Sequence, residues 1–149
     1  LPVLRKDFTV DERDVLDARL MGADAVLLIV AALSKQELER FFSLSGELGL
    51  DALVETHDEA ELETALEIGA ELIGVNQRNL ITFEVDHERA ARMAELIPDD
   101  VIAVAESGVR GPADAATLRQ AGYAAILVGE TLVTSGDATA AVAALREAV

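Results

Sequence analysis

The sequence contains no cysteine, no tryptophan and only two lysines, Lys6 and Lys35. The lack of cysteine excludes a disulfide framework, a thiol nucleophile and a metal site built on thiolates. Aromatic residues make up only 3% of the chain, although 51% of its residues are hydrophobic. We therefore expect a buried core of aliphatic side chains.

Positive charge is also scarce, because 12 Lys and Arg residues face 28 Asp and Glu residues, for a formal net charge of -16. Nucleic acids and anionic membrane surfaces both bind through Lys and Arg, so this balance argues against either partner. No apolar run approaches the roughly 18 residues of a membrane-spanning helix, and no signal-peptide pattern is present. These absences lead us to expect a cytoplasmic protein.

The length of 149 residues is that of one domain, residues 1–149. The chain begins at Leu1 rather than at an initiator Met, and the next three residues already resemble a strand. Nothing precedes this strand to cover one edge of its sheet. We therefore expect the N-terminal part of a longer protein to be absent.

Short apolar runs alternate with segments of helical periodicity along the whole chain. Ser34 and Glu37 form a capping-box pattern before the second helix, and Gly22 and Gly69 end the first and third helices. The predicted strands are 3–5, 25–30, 51–56, 71–75, 101–106 and 124–128. The predicted helices are 10–21, 35–48, 57–68, 86–96, 113–120 and 137–148, and a polar connection covers 76–83.

Six βα units with right-handed crossovers fit two architectures: an open doubly wound sheet, or part of a (β/α)8 barrel. Polar residues follow most of the strands rather than the two strands beside one crevice. This distribution favours the barrel, and six units are two fewer than a closed barrel has.

Polar side chains stand at the carboxyl ends of four predicted strands, where parallel-sheet proteins bind their ligands. Lys6 follows the first strand and could act as a general acid, although a solvated surface lysine is the plain alternative. Glu55 ends the third strand, and we predict that Thr56 and Glu59 cap the following helix, which leaves Glu55 available for chemistry. We expect the neighbouring His57 to be an exposed residue of the first helical turn rather than a catalyst.

Two later strand ends carry further polar groups. Asn76 could orient a hydroxyl or carbonyl group and Arg78 could bind a carboxylate, or one of them could only anchor a loop. Glu106 and Ser107 end the fifth strand, and His87 is expected to be exposed. 

Two glycines stand near the ends of the last two strands. Gly108 and Gly129 would let the backbone approach an anion closely, as in the phosphate sites that barrels form between their last two loops. Either motif alone is weak, whereas the consecutive pair near the end of the chain favours a phosphate site.

Taken together, the motifs closely resemble those of the indole-3-glycerol phosphate synthase family of tryptophan biosynthesis. The matching segments are P-V-L-R-K-D-F (2–8), A-D-A-V-L-L-I-V-A-A-L (23–33), L-V-E-T-H-D-E-A-E-L (53–62), I-G-V-N-Q-R-N-L (73–80), A-E-S-G-V (105–109) and L-V-G-E-T-L-V (127–133). The resemblance implies an α/β fold, a (β/α)8 TIM barrel that is incomplete here and keeps strands three to eight with their helices.

The resemblance also implies a reaction and its residues. The family converts 1-(2-carboxyphenylamino)-1-deoxyribulose 5-phosphate to indole-3-glycerol phosphate, CO2 and water, without metal or organic cofactor. By motif, Lys6 matches the family's general acid and Glu55 its acid/base carboxylate. The other implied site residues contact the substrate or its phosphate: Asn76 (catalytic), Phe8 against the aromatic ring, Arg78, Glu106 and Ser107 on the substrate, and Gly108, Gly129 and Glu130 at the phosphate.

The chain departs from the family pattern in two places. Glu130 stands where the family often has Ser, so we expect its carboxylate to point away from the phosphate and only its backbone N–H to contribute. The family's first two strands, with a second catalytic lysine and another glutamate, have no counterpart here. We expect this segment alone to be inactive or very weakly active.

Two rival hypotheses remain open. The chain could be an inactive fragment or an engineered partial barrel that self-assembles through its open edge at residues 3–5. It could also be another sugar-phosphate barrel such as phosphoribosylanthranilate isomerase, but that family is expected to use a Cys that this chain lacks.

Overall fold

The computed structural model describes residues 1–79 and 82–148, in which strands and helices alternate. The strands are β1 (Leu4–Arg5), β2 (Ala25–Ile29), β3 (Asp51–Thr56), β4 (Leu72–Asn76), β5 (Ile102–Glu106) and β6 (Ala125–Leu127). The helices are α1 (Glu12–Leu20), α2 (Lys35–Glu47), α3 (Glu59–Glu67), α4 (Arg89–Ala94), α5 (Pro112–Gln120), α6 (Glu130–Thr134) and α7 (Ala138–Glu147). Part of the predicted connection 76–83, including Leu80 of the N-Q-R-N-L motif, lies outside the described residues.

The strands form because short aliphatic runs, bounded by turn residues, can be buried on both faces of a sheet. They follow one another in chain order, β1-β2-β3-β4-β5-β6. The pairs β1–β2, β2–β3 and β5–β6 are parallel, with Ile29 opposite Glu55 and Glu106 opposite Leu127. All six predicted strands are thereby confirmed, several of them one residue shorter than expected.

The chain divides into two compact units, Leu1–Gly74 and Val75–Val149, with the boundary inside β4. In the first unit the middle of β2 and β3 packs against helices α2 and α3. Its buried hydrophobic side chains are aliphatic apart from Phe41, as the composition predicts: Val26, Leu27, Leu28, Leu38, Leu53, Val54 and Leu62 are each at most 3% exposed. Burial of each large side chain contributes about 1.5–3 kcal/mol to folding, which makes this core the main stabilising element of the unit.

Helix α1 buries only part of the apolar face that its periodicity predicts. We expect Val15, Leu16, Leu20 and Met21 to lie on one face toward the core. Val15 is fully buried there with Ala18, whereas Leu16, Leu20 and Met21 are 41%, 84% and 74% exposed. That prediction is wrong for these three residues. The small Ala18 allows the helix backbone to approach the sheet, and the larger side chains then lie on the outer surface.

The second unit has a core of smaller residues around β5, α4 and α5. Tyr123, the one tyrosine of the sequence, is 5% exposed there, and its hydroxyl donates a hydrogen bond to the carbonyl of Ala90 at 2.8 Å. Burial raises the pKa of the Tyr123 phenol. The hydrogen bond therefore satisfies a polar group that would otherwise be costly inside the core.

The start of helix α2 has the capping residues that its sequence predicts. Ser34 accepts a hydrogen bond from the backbone N–H of Glu37, and the Glu37 carboxylate accepts one from Ser34 N–H at 2.9 Å, so the predicted capping box is confirmed. The longest described helix has 13 residues, and none among the described residues is long and apolar enough to cross a membrane.

Candidate active site

Lys6 and Glu55 meet at the carboxyl ends of their strands in the first unit. Lys6 follows β1, and its Nζ donates a hydrogen bond to Oε2 of Glu55 at 3.0 Å. Strand β2 lies between β1 and β3, and side chains of alternate strands share a layer in a parallel barrel, which explains how the two groups reach each other. The carboxylate is 1% exposed and the lysine side chain 38%, so the pair joins a buried anion to an accessible cation.

His57 completes this group and is not the exposed residue that the sequence suggests. Its side chain is only 12% exposed, and its ring lies between Glu55 and Glu61. Nδ1 is 3.0 Å from Oε2 of Glu61, and Nε2 is 3.4 Å from Oε1 of Glu55. The expectation of exposure is wrong because α3 begins at Glu59, so His57 lies in the connection between β3 and α3 rather than in the first helical turn.

The electrostatic surroundings favour a charged imidazole. Burial alone would lower the pKa of His57, but the contacts with Glu55 and Glu61 and their negative charges outweigh burial and raise the pKa to about 9. His57 is therefore an imidazolium at neutral pH. The contact with Glu61 could have been predicted from the sequence, since residues four apart at the start of a helix, such as His57 and Glu61, are neighbours.

Thr56 does not cap α3, contrary to the prediction. It is fully buried in β3, and its Oγ1 donates a hydrogen bond to the carbonyl of Gly74 at 3.0 Å. Asp58 is the cap instead, since its carboxylate accepts a hydrogen bond from the N–H of Glu61 at 2.9 Å. The strand ends at Thr56 as predicted, but the helix begins at Glu59 rather than at residue 57. Alternation along the strand sends Thr56 to the opposite face from Glu55, and Asp58 is left to cap the helix.

Phe8 lies in the same unit, two residues beyond Lys6. Its ring is 58% exposed. An exposed aromatic ring close to a strand end is available to stack on a flat ligand. Its role against an aromatic substrate stays a prediction.

In the second unit, Asn76 and Arg78 are linked through the turn after β4. Oδ1 of Asn76 accepts a hydrogen bond from Arg78 N–H at 3.0 Å, and the Asn76 carbonyl accepts one from Arg89 at 3.0 Å. Asn76 is 5% exposed, so its amide shapes the turn from inside. Anchoring of the loop, one of the two roles expected for this pair, is what these contacts accomplish.

Gln77, which the sequence analysis missed, braces the next strand end. Its backbone N–H donates to the carbonyl of Glu106 at 3.0 Å, and its side-chain Nε2 donates to the carbonyl of Ser107 at 2.8 Å. Gln77 is 3% exposed and Glu106 is 1% exposed. No residue pattern in the sequence predicts the contact between Gln77 and Ser107, because these residues are thirty positions apart.

Ser107 and Gly108 have consecutive left-handed backbone conformations, with φ of 61° and 71°. A Cβ atom on Gly108 would lie 2.8 Å from Cγ1 of Val85 and 3.3 Å from the ring of His87. Glycine is therefore needed at this position both for its φ angle and for the close approach of neighbouring side chains.

A cavity of about 870 Å³ opens beside this turn within the second unit. Five predicted site residues line it, namely Arg78, Ser107, Gly108, Gly129 and Glu130, whereas Asn76 and Glu106 are not among the lining residues. His87, Arg110 and Thr131 also line the cavity and were not predicted as site residues. Two arginines, an imidazole and two glycine-containing turns form a surface suited to an anion.

The Glu130 side chain is 74% exposed and pairs with Arg78. That it points away from a bound phosphate stays a prediction. Oε2 of Glu130 accepts a hydrogen bond from Nη2 of Arg78 at 2.6 Å. The positive guanidinium attracts the carboxylate, and both residues line the cavity. Among the described residues, no group of three or more His, Asp or Glu side chains is arranged to hold a metal ion.

Solved structures of known proteins share this fold. The chain is similar to a 3-hexulose-6-phosphate synthase from Salmonella typhimurium, with a TM-score of 0.83 and 14% identity over 99% of this chain and 72% of that chain. A second 3-hexulose-6-phosphate synthase gives a TM-score of 0.78 and 18% identity over 97% and 70%. These barrel-like neighbours confirm the predicted fold class, an incomplete (β/α)8 barrel.

Sequence relatives are closer. The chain is 49% identical over 146 residues to an indole-3-glycerol phosphate synthase of Ruminiclostridium cellulolyticum, covering 98% of this chain and 56% of that protein. It is 53% identical over 141 residues to the synthase of a Nocardioides species, covering 95% and 54%. A multifunctional tryptophan biosynthesis protein of Schizosaccharomyces pombe is 49% identical over 138 residues, covering 93% of this chain and 18% of that protein.

The chain thus spans about half the length of the curated synthases it matches. The family profile described as indole-3-glycerol phosphate synthase matches residues 1–145, which include every residue of the two clusters described above. The chain belongs to the indole-3-glycerol phosphate synthase family.

Proposed function

We propose that this chain carries the acid–base centre of an enzyme that closes the indole ring. The substrate would be 1-(2-carboxyphenylamino)-1-deoxyribulose 5-phosphate, and the products indole-3-glycerol phosphate, CO2 and water. The observation that carries the proposal is the 3.0 Å contact between Lys6 and the buried Glu55 at the strand ends. Membership of the synthase family supports the same reaction.

The reaction requires proton transfer at several atoms, which a lysine and a carboxylate can provide. Ring closure joins the aromatic carbon that bears the carboxylate to the ketone carbon, and the ketone oxygen takes a proton from Lys6. Loss of CO2 leaves its bonding electron pair in the ring and restores the benzene ring.

Dehydration then completes the indole. The new hydroxyl group leaves as water with a second proton from Lys6, while Glu55 accepts the proton lost from the adjacent CH2 group. One proton enters from solvent overall, because the substrate carboxylate leaves as neutral CO2. The accessible lysine and the buried carboxylate of the pair suit these donor and acceptor roles.

The cavity of the second unit supplies the proposed phosphate and substrate contacts. Gly108 and Gly129 offer backbone N–H groups close to the cavity, and Arg78 offers a guanidinium. Glu130 would contribute its backbone N–H, since its carboxylate is paired with the arginine. 

The remaining predicted residues are proposed to contact the substrate or its aromatic ring. Asn76, Glu106 and Ser107 stand at the strand ends around the braced turn, where we propose that they contact the substrate. Phe8, in the first unit, would stack on the anthranilate ring. No metal or organic cofactor is needed for the proposed steps.

The proposed function is tested by adding the part of a related synthase that this chain does not match. The N-terminal part of the Ruminiclostridium cellulolyticum synthase, which the chain does not match, is fused before Leu1. We expect the fusion to form indole-3-glycerol phosphate, measured by its indole fluorescence, and the unfused chain to show little or no turnover. A folded fusion without turnover would contradict the proposed function.

Within the fusion, two substitutions test the roles. Lys6→Ala or Glu55→Gln should lower kcat at least about 100-fold, the lower range for acid–base groups. The matched control Glu59→Gln removes the same charge from an exposed position in the first turn of α3. Near-normal turnover in either active-site variant would refute that residue's role.

A further inference from the structure

The ring of His57 joins two carboxylates in the first unit. Glu55 lies 3.4 Å from Nε2 at ion-pair distance, without a hydrogen bond from that buried nitrogen within the described part of the chain. Glu61 lies 3.0 Å from Nδ1. The order of groups is therefore Glu61, His57, Glu55 and Lys6, with alternating charge when the imidazole is protonated.

Glu61 fixes the ring more firmly than a single contact would. Its Oε2 accepts the backbone N–H of His57 at 2.8 Å and also contacts Nδ1 at 3.0 Å. Asp58 in turn accepts the N–H of Glu61 at 2.9 Å. Backbone and ring of His57 are thus held together at the start of α3, which leaves the ring little freedom.

We propose that His57 is a positioning residue that holds Oε1 of Glu55, so that Oε2 faces Lys6 and the substrate. This inference rests on the proposed function, because Glu55 is the acid–base carboxylate only in that reaction. The geometry that carries it is the bridge from Glu61 through the ring to the buried Glu55.

The imidazolium of His57 is a second cation beside Glu55, in addition to Lys6. When Lys6 turns to the substrate, the buried carboxylate of Glu55 loses that cation as a neighbour, which is unfavourable. His57 lies on the other oxygen and keeps that charge compensated. The groups facing the imidazole are Glu55 and Glu61, and Lys6 acts on it through the shared Glu55.

The first arm of the test uses the chain itself and needs no activity. The sequence has two histidines, so the ring signals of His57 can be followed by nitrogen-edited NMR with His87 as an internal reference. We expect a His57 midpoint at about 9. Glu55→Gln should lower that midpoint by about one pH unit, and Glu59→Gln should leave it in place.

A second variant keeps this arm decisive if Glu55→Gln fails to fold. Lys6→Gln removes the other cation from Glu55, so the His57 midpoint should rise. By thermodynamic reciprocity, the effect of Glu55 on the imidazole equals the effect of the imidazole on Glu55. A His57 midpoint that neither variant moves would overturn the proposal.

The second arm uses the fusion described above. His57→Asn should lower kcat about 10-fold, with a smaller change in KM, because the misplaced carboxylate affects the chemical step. His57→Arg, which retains the positive charge, should recover part of kcat. An unchanged kcat in His57→Asn, or an equal loss in Glu59→Gln, would overturn the proposal while the proposed function stands. An inactive wild-type fusion would refute the proposed function and this inference with it.

Discussion

Gly108 is the glycine at which an added side chain would meet the closest neighbouring atoms. Gly108→Ala places a Cβ 2.8 Å from Val85 at a φ of 71°, whereas Gly136→Ala keeps a similar φ of 76° with open space around it. We expect Gly136→Ala to lower the free energy of unfolding by about 1 kcal/mol, and Gly108→Ala by at least about 1 kcal/mol more. Urea unfolding of both variants measures the difference, and equal losses would contradict the steric argument.

Glu130 is the residue that competes with an anion for Arg78. Glu130→Gln removes the carboxylate 2.6 Å from the guanidinium, so inorganic phosphate should bind about threefold more tightly, in line with an exposed ion pair. Calorimetric titration with phosphate measures this change. Glu147→Gln, the same charge change at an exposed position of α7, is the control, and an equal gain there would indicate a general charge effect.

At the scale of elements, the start of α3 depends on Asp58 rather than on Thr56. Asp58→Ala should lower the free energy of unfolding by about 1 kcal/mol, because the N–H of Glu61 loses its acceptor. Asp58→Asn retains an oxygen acceptor and should recover most of the loss. Chemical unfolding followed by circular dichroism tests this, and an unchanged stability in Asp58→Ala would contradict the role of Asp58 as the cap.

The junction of β3 and α3 also makes stability depend on pH. The pKa of His57 is raised from 6.5 to about 9 in the folded chain, so its contribution is complete below about pH 6.5 and is lost as pH rises through about 9. The change is at most about 3 kcal/mol. Unfolding at a series of pH values should show this decline in the wild type, and a flatter curve in His57→Asn; parallel curves would contradict the assignment.

For the whole molecule, the edge of the sheet at β1 predicts self-association. Strand β1 pairs with β2 and is the first strand in the sheet order, and the adjoining Val3 is 55% exposed. Sedimentation should detect a dimer that Val3→Lys dissociates, whereas Val133→Lys at an 83% exposed position should not. A strictly monomeric wild type would contradict this prediction.

The six strands could be predicted because each is an aliphatic run with clear boundaries, and the strand-end residues followed from them. The pairing of Lys6 with Glu55 follows from their position on alternate strands. Contacts made by irregular segments could not be predicted in this way. The bracing of Ser107 by Gln77 joins two turns far apart in sequence, and helix α6 is only five residues long, too short for a periodic signal.

Burial also decided several outcomes that local pattern does not encode. His57 and Thr56 look like ordinary residues of a helix start, yet α3 begins only at Glu59, and the two side chains lie against Glu55 and Gly74 respectively. Helix α1 shows the same limit, since its periodicity fits more than one apolar face and the sheet selects Val15 and Ala18.

The buried hydroxyl of Tyr123 gives the second unit its own spectroscopic reporter. The sequence has one tyrosine and no tryptophan, so ultraviolet absorption and intrinsic fluorescence in an unfolding experiment originate mainly from that unit, while the ring signals of His57 originate from the first. A single sample can therefore reveal whether the two halves melt together or one after the other. In alkaline solution, the delayed appearance of tyrosinate absorption would time the opening of the second core, with no label attached.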